Sequence, residues 1–138
     1  MSESESEQAR GSEPSADVRV TRDAGISYLQ IPAVDARESA EFYERVFGWK
    51  VSGHDSGRPS FDDGTGHVIG TWLTNLAVST KPGLVPYIYV NDIDDTIEKI
   101  GRHGGELTEG PRPEGTLRVA TFRDVAGNVM GLWQETAH

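Results

Sequence analysis

Two stretches of this chain repeat one another in register: FDDGTGHVIGTW at 61–72 and FRDVAGNVMGLW at 122–133. Phe61, Asp63, Gly66, Val68, Gly70 and Trp72 are matched by Phe122, Asp124, Gly127, Val129, Gly131 and Trp133 at one constant offset of 61. Tight turns favour Asp and Gly, which accounts for Asp63, Gly66 and their counterparts. It does not account for a Gly and a Trp at matching places inside the segments that follow. Asp35 and Gly48 are matched by Asp92 and Gly105 at an offset of 57, so the two halves differ by a short insertion. Such a chain is expected to build the same unit twice.

Each half reads strand, helix, strands. Ile26 to Ile31 form a strand candidate closed by Pro32. Asp35 is a helix cap candidate. Ser39, Phe42, Tyr43, Val46 and Phe47 then fall on one helical face, and Gly48 ends the helix. Strands are expected at Trp49 to Gly53, Pro59 to Asp62 and His67 to Thr74, the last two joined by Asp63-Gly64. Lys81-Pro82-Gly83 separates the halves. Val85 to Val90 open the second half, Asp92 caps its helix, and Ile93, Ile97 and Ile100 mark the apolar face. Gly104-Gly105 stop that helix, and strands follow near Glu106 to Thr108, Leu117 to Arg123 and Asn128 to Gln134.

The chain has 138 residues and suits one domain. Residues 1–17 hold five acids, one base and no aromatic or β-branched side chain. The sequence therefore predicts a disordered acidic tail over 1–22 and a folded domain over 23–138, with modules at about 25–78 and 84–135. No apolar run approaches the roughly 20 residues that span a bilayer. No apolar secretory segment opens the chain, and there is no cysteine; both fit a cytoplasmic protein. The net charge of −9 disfavours nucleic acid as a partner.

Two tandem βαβββ units, the stretch ISYLQIPAVDARESAEFYERVFGW and the closing RDVAGNVMGLWQE together resemble the vicinal-oxygen-chelate superfamily of glyoxalase, bleomycin-resistance and extradiol-dioxygenase type. The resemblance covers about residues 25–135. It implies an α+β fold whose two modules curl a mixed sheet into a cup, and it implies a homodimer. Metal-dependent members place one ligand on the first strand and one on the last strand of each module. Matching from Asp35 and Phe42 puts Tyr28 at the first-strand position, with Gln30 on the same face, and Gly70 at the last-strand position. In the second module the positions fall on Val85 or Pro86 and on Gly131, which offer no ligating side chain. No metal and no cofactor are therefore expected. His54, His67, His103 and His138 have no metal-ligand spacing.

Strand alternation would put Gly70 and Trp72, and Gly131 and Trp133, on faces that the resemblance makes cup lining. Glycine leaves room at the floor and tryptophan gives flat walls. Tyr28, Gln30 and Tyr87 add polar groups from the first strands. These seven residues are the candidate ligand-binding set, for a small, flat or apolar molecule. The competing expectation is that both tryptophans are core. By resemblance the leading function is sequestration or resistance without a metal, as when an acidic cleft of a bleomycin-resistance protein takes up a cationic drug. Two alternatives are a superfamily enzyme (lyase, isomerase or dioxygenase, metal-dependent or metal-free) and an interaction domain with no ligand. No nucleophile–base pair, phosphate loop or dinucleotide fingerprint is present.

Overall fold

The computed structural model describes residues 19–136. The first module runs β1 (Tyr28–Pro32), α1 (Ala36–Phe47), β2 (Lys50–Ser52), β3 (Ser60–Asp62) and β4 (Ile69–Leu73). The second runs β5 (Tyr87–Tyr89), α2 (Ile93–Arg102), β6 (Glu106–Glu114), β7 (Leu117–Arg123) and β8 (Val129–Glu135). Each module forms its own four-stranded sheet, ordered β1-β4-β3-β2 and β5-β8-β7-β6. In each sheet the first strand pairs parallel to the last and the other pairings are antiparallel. The expected α+β architecture is thus present, with both sheets open.

Local chemistry sets the helices. Asp35 accepts hydrogen bonds from the Arg37 and Glu38 amides at the start of α1. Gly48 stops α1 in the left-handed conformation, φ 74°, where a side chain would be strained. Asp92 caps α2 through the Asp95 amide. The tail expected over 1–22 lies mostly outside the described residues. At its end, Val20 is buried, and Arg22 donates to the carbonyls of Ile26 and His67. Contacts of the domain therefore begin before residue 23.

Helix α1 joins the modules. Its Tyr43 ring stacks on Trp49 and lies 5.9 Å from Trp72 in the first module. Its Phe42 and Phe47 rings lie 6.4 and 5.9 Å from Phe122 in the second. The Tyr43 hydroxyl donates to Asp124, 2.7 Å away, at the far end of β7. Asp124 is buried, and its other oxygen accepts the amides of Ala126, Gly127 and Asn128 at 2.9–3.0 Å. The Asn128 side chain donates to Asp124 and to the Pro32 carbonyl, and accepts from the Ser79 amide. One buried carboxylate and its neighbour thus bind the ends of β1 and β7, α1 and the linker. A buried carboxylate requires such a full set of donors.

The two matching hairpins do not share a register. In the second, the Asp124 amide bonds the carbonyl of Asn128, and Phe122 pairs with Met130. In the first, the Asp63 amide bonds the carbonyl of Val68, one residue further on, and Phe61 pairs with Gly70. The cause is visible in the turns. The first holds two left-handed glycines, Gly64 at φ 89° and Gly66 at φ 83°. In the second, Gly127 is left-handed while Val125, at the place of Gly64, is not. The extra left-handed residue lets the first turn hold one more residue, and a slip of one exchanges the faces of the strand that follows. Gly70 and Trp72 therefore face α1, whereas Gly131 and Trp133 face away from it.

Burial, and next the negative charge of Asp124, raise the Tyr43 pKa well above the ordinary tyrosine value. The neutral phenol is the form the fold requires. Its stabilisation is fully present below about pH 10, where an unfolded tyrosine begins to ionise, and is lost as pH rises above that. Tyr43→Phe leaves Asp124 short of one donor and should cost about 1–3 kcal/mol at neutral pH. Urea unfolding from pH 7 to 11 should show a steeper alkaline loss for the native chain than for the variant.

Candidate functional site

A cleft of about 670 Å³ opens beside the first strands of the two sheets. Its apolar floor includes Leu29 of β1, Val46 and Phe47 of α1, Trp49, and Met130 of β8. Tyr87 and Tyr89 of β5 stand at its side, 49% and 45% exposed. Asp63, Asp92, Asp95 and Lys99 supply its charged groups, and Lys99 is paired with Asp95 at 3.2 Å. A cavity of this size, with an apolar floor on one side and the polar side chains of Asp63, Thr65, Asn91, Asp92, Asp95, Thr96 and Lys99 along the rest, has room for a small organic molecule.

The seven residues singled out from sequence do not converge. Tyr87 alone of them lines this cleft. Gly131 lies beneath it: a Cβ at 131 would stand 2.4 Å from the Tyr87 ring, so that ring rests on bare backbone. Trp133 sits on the outer face of the second sheet, its ring edge-on to Tyr89 at 4.8 Å. Tyr28 and Gln30 are exposed on the outer face of the first sheet, and Gln30 borders a smaller hollow of about 120 Å³.

Trp72 is a correction. It is 1% exposed, packed against Phe61 at 4.8 Å and Tyr43, and lines no cup. Its indole N–H has no hydrogen-bond partner among the described residues. Gly70 is a second correction: it opens no floor, because a Cβ there would stand 2.1 Å from the Leu29 carbonyl oxygen and 2.5 Å from the Phe61 ring. Both errors follow from the one-residue slip, whose signal in the sequence was Gly64 standing where the second hairpin has Val125. Tyr89, Leu29 and Phe47 were missed as lining residues, since pattern alone marks them only as strand and helix positions.

The sequence model of the Glyoxalase/Bleomycin resistance protein/Dioxygenase superfamily matches residues 25–132. This chain belongs to that superfamily. A glyoxylase-like domain-containing protein of Didymella fabae is 33% identical over 119 residues, 78% of this chain and 91% of its own length. Among solved structures, a superfamily enzyme of Burkholderia phytofirmans superposes with a TM-score of 0.64 at 17% identity, covering 81% of this chain and 99% of its own. An antibiotic binding protein of Streptomyces sp. does so with a TM-score of 0.62 at 20% identity, covering 82% and 97%. These two likenesses establish the fold.

The positions that the sequence resemblance matched to metal ligands, Gly70 and Gly131 among them, do not suit a divalent ion. Gly70 and Gly131 carry no donor, and neither has space for a ligating side chain as the backbone stands. Tyr28 and Gln30 are on the opposite face of the first sheet from Gly70. Among the described residues no group of three or more His, Asp or Glu side chains is placed to hold an ion. The best-buried carboxylate, Asp124, spends both oxygens on structural hydrogen bonds.

The two tryptophans should separate cleanly. Trp72→Ala should lose roughly 3–5 kcal/mol of stability, as for a large aromatic removed from a core. Trp133→Ala should lose much less, because its face is half open. Gly70→Ala should be the more damaging glycine change, since backbone oxygen cannot move aside as the Tyr87 ring can. Chemical denaturation of the four variants tests the ordering; equal losses for both tryptophans would refute the opposite-face assignment.

Proposed function

We propose that this protein binds a small, flat or apolar molecule in the cleft between its modules, without a metal, in a sequestration or resistance role in the cytoplasm. The carrying observation is the 670 Å³ cleft, with an apolar floor on one side and two half-exposed tyrosines on another. Tyrosine gives a large flat contact with little side-chain entropy to lose, which is why it recurs at binding hot spots. The fold likeness to an antibiotic binding protein supports the same reading. So does the lack of fit between a divalent ion and the glycines at the family's ligand positions.

We further propose a homodimer formed through the outer face of the second sheet. Tyr89 and Trp133 make an aromatic patch there, and Leu84, at the entry to that sheet, is 90% exposed. Exposed apolar surface of this kind is commonly covered by a second copy. Static light scattering at micromolar concentration should give twice the chain mass, and Trp133→Glu should give one.

A neutral polycyclic fluorophore such as 1-aminoanthracene tests the binding reading. It should bind saturably, brighten, and quench Trp49, which borders the cleft. Tyr87→Ala should weaken it by about 2 kcal/mol or more. Leu29→Trp should fill the floor and abolish it, and EDTA should leave it unchanged. Saturable binding that ignores both substitutions would place the site elsewhere.

A further inference from the structure

Seven consecutive residues, Pro86 to Asp92, border the cleft. Alternate side chains of a strand leave on opposite faces, so an unbroken run can border one cavity only if the cavity lies along the strand's edge. Among the described residues β5 is an edge strand, bonded to β8 on one side only. On that side the Gly131 amide donates to the Pro86 carbonyl and the Val90 amide donates to the Trp133 carbonyl. In a parallel ladder this assigns Pro86, Ile88 and Val90 to β8. The amide and carbonyl groups of Tyr87 and Tyr89 point the other way, along the cleft.

We infer that the ligand of this cleft is recognised by the bare backbone edge of β5, and that it is a planar molecule carrying a hydrogen-bond donor and acceptor side by side, as a cis-lactam does. This rests on the cleft being a small-molecule site. The lactam N–H donates to the Tyr87 carbonyl, and the lactam carbonyl accepts from the Tyr89 amide, two residues along the same edge. The flat body lies against the floor made by Leu29, Phe47 and Met130. An apolar floor selects poorly among flat molecules on its own; strand-edge donors and acceptors left unmatched beside it would cost binding, and so they add selectivity. No side chain carries this recognition, which is why no residue motif announces it.

Three probes and two variants test it. 2-Quinolinone presents the donor–acceptor pair, N-methyl-2-quinolinone lacks the donor, and naphthalene lacks both. The native chain should bind 2-quinolinone about tenfold more tightly than either of the others. Tyr89→Ala keeps the amide and should keep that ratio. Tyr89→Pro removes the amide from a side of the strand that bonds nothing in the sheet, where proline is tolerated, and should bring the ratio close to one. In the native chain the Tyr89 amide proton should move downfield on adding 2-quinolinone and stay in place with naphthalene, a readout that stands if the proline variant fails to fold. Equal binding of all three probes with a silent Tyr89 amide overturns the edge and leaves the cleft reading standing. No saturable binding of any probe overturns the cleft reading, and this inference with it. A dimer that dissociates on Tyr89→Pro but not on Tyr89→Ala assigns the edge to a second copy and overturns the inference as well.

Discussion

The buried carboxylate of Asp124 is the contact on which the assembly of the two modules depends. It accepts three amides of its own turn, the Tyr43 hydroxyl of the first module and the Asn128 side chain. Asn128 in turn reaches Pro32 and Ser79. A buried carboxyl group is tolerated only with its polar atoms satisfied, and these partners together satisfy both oxygens. The same turn places β8, and β8 carries Met130 into the cleft floor and Gly131 beneath Tyr87. The aromatic packing of α1 against both sheets supplies apolar burial around this network, while the network sets the position at which that burial occurs.

The first hairpin makes the contrast. Asp63 holds the equivalent place, yet among the described residues its side chain accepts only from the amide and hydroxyl of Thr65, at the surface. A second left-handed glycine lengthens its turn by one residue, and β4 then presents Trp72 inward. The exchange adds a large aromatic side chain to the first module's core, beside Phe61, Trp49 and Tyr43. Its counterpart in the second module is left outside, against Tyr89. Two near-identical segments thus serve opposite purposes, one as core and one as surface.

This asymmetry shapes what the molecule can bind. Lining drawn from the matching glycine–tryptophan pairs would have made two equivalent walls. The protein has instead a cleft beside the β5 edge, floored by residues of both modules and flanked by tyrosines of the second. In the proposed binding role, recognition comes from shape and from the main-chain groups along its side.

The sequence by itself determined the element order, both helix caps, the apolar face of each helix and the superfamily, because these rest on local chemistry and on a repeat spanning the chain. Asp35, Gly48 and Asp92 act as their residue types dictate wherever the chain goes. Tyr87 and Gly131, singled out as ligand-binding residues, are in contact with each other at the border of the cleft. The facing of Trp72 was decided only by tertiary structure. Strand alternation is known from sequence up to one binary choice, and a turn one residue longer reverses that choice. Asp124 read as turn chemistry like Asp63; its burial required Tyr43 to arrive from 81 residues away. The cleft was equally out of reach, since a cavity between modules depends on how α1 docks both sheets, and that docking is set by packing and not by any local pattern.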